Sequence, residues 1–233
     1  MTDPHPLDRP AWNALTSGWA PLAQGNEKAL RLEPDHGPFA ATADFSDAAL
    51  AELPALIPPG RQIWITETAE MPDIPGAARL RSAELVQMVA NSLNPMAGRD
   101  EILDLQESDA PEMRALAHLT QPGPFLPLTH RLGDFVGIRR EGTLVAMAGE
   151  RMRLDGYCEV SGVCTLPECR GQGLAGVLIS VVAARMLARG ETPFLHSYAT
   201  NAGAIALYER LGFTIRGPMT VTIFVEEPTE TNP

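Results

Sequence analysis

Residues Val163 to Ala175 read VCTLPECRGQGLA, and the rest of the chain can be placed around them. The stretch predicts a strand running out through Leu166 and Pro167, a glycine-bearing turn, and a helix that begins near Gly171. Such a turn gathers free backbone N–H groups at the positive end of a helix dipole, which suits a phosphate or pyrophosphate. Gly171, Gly173 and Gly176 do not fall at G-x-G-x-x-G spacing, and no Gly-Lys-Ser/Thr follows. The dinucleotide fingerprint and the Walker A loop are therefore both excluded. Arg170, Gly171, Gln172, Gly173, Leu174 and Ala175 remain as the candidate phosphate loop, with small residues where a backbone must come close to a ligand.

Downstream, Asn201 to Phe213 read NAGAIALYERLGF. Asn201 suits an N-cap, Ala204, Leu207, Tyr208 and Leu211 fall at helical spacing, and Gly212 suits a C-cap. The paired patterns V-x-x-x-P-x-x-R-G-x-G-x-A and N-x-x-A-x-x-L-Y-x-x-L-G-F, about thirty residues apart, resemble the acyl-CoA-binding motif and following helix of the GNAT superfamily of N-acetyltransferases. The resemblance extends from about residue 101 to 225 and is strongest from 157 to 213.

Upstream, Phe135 to Arg139, Thr143 to Leu154 and Tyr157 to Thr165 read as strands joined at Glu141-Gly142 and Asp155-Gly156. A two-residue turn at Asp155-Gly156 predicts Leu154 opposite Tyr157, Met152 opposite Glu159 and Glu150 opposite Ser161. Glu150, Met152, Glu159 and Ser161 then share one face. Arg151 and Arg153 point to the other, leaving Glu159 without a cationic partner from the neighbouring strand. Leu174, Val177, Leu178, Val181 and Val182 give the next helix an apolar stripe. Strand Phe194 to Ala199, the helix from Asn201, and one or two strands within Phe213 to Val225, interrupted at Gly217-Pro218, complete the order β-α-β-β-β-α-β-α-β. The expected class is α/β (α+β), a mixed, mainly antiparallel sheet flanked by helices.

Glu159 to Thr165 and Phe194 to His196 look like the GNAT branch that includes glycine N-acyltransferase-like enzymes, in which an N-terminal region also precedes the catalytic domain. The resemblance implies that backbone groups of Val163, Cys164 and Thr165 hold the pantetheine arm where two strands splay. It assigns Gly171 to Gly176 to the pyrophosphate and Asn201 to a coenzyme contact. Tyr208 matches the acid that protonates the departing thiolate, and Glu159 stands at the position of the general base in some members. Other members carry an acidic base where His196 stands here, so His196 is a candidate base or substrate contact. Glu150, Ser161 and His130, the last in an irregular segment from Phe125 to Gly133, are candidate substrate contacts.

The chain has 233 residues, with 18 Lys and Arg against 29 Asp and Glu, for a net charge of −11. That balance argues against a partner bound through nucleic-acid phosphates and suits a cationic or neutral acceptor. Cys158, Cys164 and Cys169 lack metal-type spacing, so reduced thiols and no metal are expected. Met1 to Pro6 show no leader pattern and no stretch is long and apolar enough to span a bilayer, which predicts a cytoplasmic protein without a membrane partner.

Eleven of the 21 prolines precede residue 76, while 15 of the 20 glycines follow residue 97. The composition shift predicts a smaller N-terminal α/β unit over 1–98, a candidate degenerate GNAT-like half, and a GNAT-type domain over 99–233. Within the first unit, helices are expected over Leu7 to Ala20 and Asp47 to Ile57, and strands over Phe39 to Phe45 and Gln62 to Thr68. In the second, a strand is expected at Ile102 to Leu105 and a capping box at Asp109 to Glu112.

An amine must lose a proton before it attacks a thioester, so a base is required, while a thiol pKa near 8.5 makes the leaving group undemanding. The expectation is an N-acyltransferase using acetyl-CoA or another acyl-CoA on a small primary amine or amino-acid-like acceptor, as a monomer or homodimer. The competing class is a non-catalytic acyl-CoA-binding sensor.

Overall fold

The computed structural model describes residues 5–228; the reading of Met1 to Pro6 falls mostly outside them. Two compact units form. The first takes the chain up to Pro34, Pro38–Leu85 and the chain from Pro218; the second takes Asp35–Gly37 and Val86–Gly217. This division differs from the boundary at residues 98 and 99 drawn from composition. A continuous strand carries the chain past Leu85, and proline and glycine content does not register a division inside a strand.

The first unit holds α1 (Pro10–Leu15), β1 (Ala23–Gly25), β2 (Ala29–Leu32), β3 (Ala40–Thr42), α2 (Asp47–Leu50) and β4 (Gln62–Glu67). Strands β1-β2-β3 form a small antiparallel sheet. Its core includes Leu53, Ile57, Ile63, Ile65, Met71 and Phe224. The two helices are shorter than expected, because Pro54 interrupts one stretch and Pro10 starts the other afresh.

Strand β5 (Ala77–Val89) passes from the first unit into the second, which continues with β6 (Leu103–Asp104), α3 (Ala110–Thr120), β7 (Phe135–Arg140), β8 (Thr143–Leu154), β9 (Tyr157–Thr165), α4 (Leu174–Ala188), β10 (Thr192–Tyr198) and α5 (Ala202–Arg210). A single strand, β11 (Thr214–Glu226), closes the order, and Gly217-Pro218 does not break it. In the second unit the sheet order is β5-β10-β9-β8-β7-β6. Strands β6 to β9 pair antiparallel and β9 pairs β10 in parallel, giving the expected mixed, mainly antiparallel sheet. Leu174, Leu178, Ile179, Val182 and Met186 sink α4 into the core beside Val160, Leu195 and Phe213. Each such side chain contributes about 2 kcal/mol through apolar burial. The capping carboxylate before α3 acts one turn early: Asp109 accepts from the Gln106 backbone N–H at 2.7 Å and does not cap α3 itself.

The β8–β9 ladder is not regular. Leu154 faces Tyr157 as expected, but Arg153 faces Cys158, Glu150 faces Val160, Gly149 faces Ser161 and Met147 faces Cys164. One extra residue is therefore taken up in β8 near Arg151, and another in β9 near Gly162, whose φ is +60°. Phe135 explains the second position, because a Cβ on Gly162 would lie 2.7 Å from its ring and one on Gly149 only 2.4 Å. The two bulges compensate, so the strand ends keep their register while the middle slips by one residue. No helix among the described residues is long and apolar enough to cross a membrane.

Candidate active site

The slip rearranges the charged side chains of β8 and β9. Arg151 meets Glu159, its Nε 2.8 Å from Oε2 and its Nη2 2.8 Å from Oε1. Glu150 binds Arg153 at 2.6 Å and Arg189, at the end of α4, at 2.7 Å. The shared face expected for Glu150, Met152, Glu159 and Ser161 is thus corrected: the two carboxylates enter separate networks, and Glu159 does have a cationic partner on β8. Glu150, 2% exposed with both oxygens taken, ties α4 to the sheet.

Glu159 is 1% exposed, and its Oε1 lies 2.9 Å from His196 Nδ1. Burial alone would raise its carboxyl; the Arg151 charge and the hydrogen bonds from His196 and Arg151 outweigh burial and hold it at about 2. It is an anion that accepts in every direction. The other face of the imidazole meets Gln87 of β5, with Nε2 3.1 Å from the amide nitrogen.

Among the described residues β9 and β10 pair in parallel from Thr192↔Tyr157 to Phe194↔Glu159, which leaves Val163, Cys164 and Thr165 on the part of β9 beyond that ladder. Thr165 Oγ1 is buried without a hydrogen-bond partner in the protein. The loop behind it ends at Gly173, in the left-handed region at φ +80°, and α4 starts with no side-chain cap. Gly171, at φ +75°, has nothing within 4 Å of a notional Cβ. An uncapped fifteen-residue helix, an open Gly171, a strand end beyond the β9–β10 ladder and an orphaned hydroxyl fit a ligand with a polar arm and a diphosphate. The residues present therefore suit the coenzyme implied by the sequence.

Other predicted residues have different surroundings. Gly176 is small because Met96 packs on it, its Sδ only 2.5 Å from where a Cβ would stand. Gln172 accepts from Arg140 at 2.6 Å, and Arg140 also pairs with Asp100. Arg170 lies along the loop, its Nε 3.4 Å from the Thr165 carbonyl. A cavity of about 430 Å³ beside the loop is lined by Met96, Arg99, Arg140, Gln172 and Gly173, among others. Met96, Asp100 and Arg140, which line this cavity, carry no local motif that would mark them in the sequence. Asn201 Oδ1 caps α5 through the Ala204 N–H at 3.2 Å. His130 Nε2 lies 3.0 Å from Glu107, which also binds Arg131. Tyr208 packs on the core beside Phe213, and burial raises its hydroxyl to about 12. Burial, with help from Glu150, pushes the Cys158 thiol to about 12, and burial brings Cys164 to about 11, so both stay protonated and inert at neutral pH. Among the described residues no group of three or more His, Cys, Asp or Glu is placed to hold a metal ion.

Residues 135–225 match the family model described as FR47-like protein. A solved structure from Novosphingobium aromaticivorans, described as coming from the GNAT family, shares 47% identity over 96% of this chain and 100% of its own, with a TM-score of 0.90. A GCN5-related N-acetyltransferase from Kribbella flavida, 19% identical over 95% of each chain, superposes with a TM-score of 0.62. One from Sphaerobacter thermophilus, 14% identical over 96% of this chain and 95% of its own, gives 0.54; these last two bear on the fold alone. No curated protein matches. The chain belongs to the GNAT family of acetyltransferases. It is accordingly an N-acetyltransferase that draws its acyl group from a CoA thioester. Nothing in these matches singles out the glycine N-acyltransferase-like branch.

Proposed function

We propose that this enzyme transfers an acetyl group from acetyl-CoA to a small primary amine or amino-acid-like acceptor, with His196 as proton acceptor and Glu159 as the anion that orients it. The observation that carries this is the bidentate Arg151–Glu159 pair. Both oxygens of Glu159 are engaged and its carboxyl is held at about 2, which makes the carboxylate a weak base. His196 keeps 7% of its side chain exposed against 1% for Glu159, so the imidazole is the less enclosed member of the pair. Direct action by Glu159, the reading drawn from sequence alone, is disfavoured by the same pair.

A bound CoA thioester supplies an acyl carbon open to attack and a thiolate leaving group. Gly171, Gly173 and the first turn of α4 are suited to hold its diphosphate, and Val163 to Thr165 its pantetheine arm, with the Val163 N–H as donor to the acyl oxygen. His196 Nε2 takes the proton that the amine sheds, and Glu159 stabilises the imidazolium that results. Tyr208, protonated at neutral pH, offers a hydrogen bond to the departing sulfur. Full proton transfer from a phenol at about 12 to a thiolate whose acid lies near 8.5 is uphill by about 3.5 in pKa, so Tyr208 contributes modestly. The net charge of −11 favours a cationic amine over an anionic acceptor on approach.

Calorimetric titration with acetyl-CoA and CoA, followed by a thiol-release assay across an amine panel, tests the reading. Binding without CoA release from any amine would overturn it. An Arg151-independent, fully active His196→Gln variant would remove His196 from the chemistry.

A further inference from the structure

The hydrogen-bond roles around His196 determine which of its nitrogens carries the proton. Glu159 is ionised and only accepts, so Nδ1, 2.9 Å from Oε1, is the protonated nitrogen. On the far side Arg216 Nη1 donates to Gln87 Oε1 at 3.0 Å. A guanidinium only donates, so the Gln87 oxygen faces Arg216 and its NH₂ faces His196 Nε2 at 3.1 Å. A donor in that position needs a lone pair opposite it. Both ends of the chain thus assign the same neutral Nδ1–H form, and they do so from different strands: Arg151 on β8, Glu159 on β9, Gln87 on β5 and Arg216 on β11.

We infer that Gln87 and Arg216 are positioning residues that hold His196 as the Nδ1–H tautomer, with the Nε2 lone pair kept for the proton of the acceptor amine. Gln87 is fully buried and has little freedom to turn. Protonating Nε2 requires the Gln87 oxygen to face the ring, which brings its NH₂ against the Arg216 guanidinium, donor to donor. Arg216 thereby opposes premature protonation of the base. The groups facing the imidazole are Glu159, backed by Arg151, which favours the imidazolium; Gln87, backed by Arg216, which opposes it; and the Phe194 ring, edge-on with centroids 5.7 Å apart. In the transfer the amine N–H bond breaks and an Nε2–H bond forms, so the Gln87 N–H gives up its acceptor in the same step, and the imidazolium afterwards returns a proton to solvent as the neutral Nδ1–H form is restored.

The role in catalysis rests on the reading of His196 as proton acceptor; the tautomer does not, and one experiment separates them. The full chain labelled with ¹⁵N-histidine is followed by long-range ¹H–¹⁵N spectra between pH 5 and 9, and the His196 signals are assigned by their absence in His196→Gln. The wild type should show the Nδ1–H pattern. Gln87→Glu places a carboxylate between Arg216 and the ring, and the imidazolium should persist about one pH unit higher or more. Arg216→Met frees the Gln87 amide to turn and should move the titration in the same direction, which keeps the test alive if Gln87→Glu fails to fold. An Nε2–H pattern in the wild type, or titrations of both variants that coincide with it, would overturn the inference. The acid limb of the kcat/KM profile, measured with an amine that the wild type acetylates, should move with the spectra. Spectra that move while the acid limb stays would uphold the tautomer lock and overturn its service to catalysis.

Discussion

Replacing Arg151 with methionine keeps most of the side chain's length and removes the guanidinium that spans both oxygens of Glu159. With Arg151 present the carboxyl lies at about 2 against an ordinary 4.5. At roughly 1.4 kcal/mol per pH unit this corresponds to about 3 kcal/mol of stability. The folded value is the lower one, so that stability is fully present above about pH 4.5 and is lost as the pH falls toward 2. In Arg151→Met burial becomes the dominant influence on the carboxyl, which rises. At pH 7 the variant should lose about 3 kcal/mol, at the lower end of what breaking a buried pair costs. Urea unfolding followed by far-ultraviolet circular dichroism at pH 7 and pH 5 measures this, with the deficit smaller at pH 5, where the variant's carboxyl is more readily protonated. Arg151→Met/Glu159→Gln should recover part of the loss, since removing both charges leaves no buried anion unpaired. A single variant within about 0.5 kcal/mol of wild type, or a double variant no more stable than the single, would refute the reasoning.

Gly173→Trp fills the turn where α4 begins and should weaken acetyl-CoA and CoA by more than about tenfold in calorimetric titration, with the thermal transition retained. Tyr208→Phe should lower kcat by no more than about tenfold, leaving the KM for acetyl-CoA nearly unchanged, since one hydrogen bond to the leaving group is lost. A thiol reagent at pH 8 should modify half-exposed Cys169 alone in the folded chain, and Cys158 and Cys164 only after unfolding, as mass mapping of the adducts would reveal. Gly176→Val drives a side chain into Met96 and should cost about 1–3 kcal/mol by urea unfolding.

The sequence disclosed those parts of the fold whose signals are local. Asp155-Gly156 between two alternating runs placed the β8–β9 hairpin at its observed ends, and the apolar stripe of Leu174, Leu178 and Val182 placed α4. The middle of that hairpin was not legible. Its register depends on Phe135, a residue on a third strand that rests on Gly149 and Gly162, and only tertiary packing brings these together. The consequence was large, because a one-residue slip decides whether Glu159 meets Arg151 or stands apart. Strand β5 was missed for another reason. Arg79 to Glu84 read as largely polar without alternation, since much of that half is exposed, and so nothing local marks Gln87 at its buried end. The glycine turn before α4 was legible because backbone chemistry sets its form, and His196 stood out as a candidate, whereas its contacts with Glu159 and Gln87 were not legible, since they rest on partners brought in from other strands.

The most direct test of the central claim is CoA release with acetylated amine confirmed by mass, comparing the full chain with His196→Gln across pH 6 to 9 on an amine selected from the panel. The account predicts stoichiometric CoA and acetyl-amine from the wild type, and a loss of kcat of at least about a hundredfold in His196→Gln with acetyl-CoA binding intact. Equal turnover by the two proteins would contradict it.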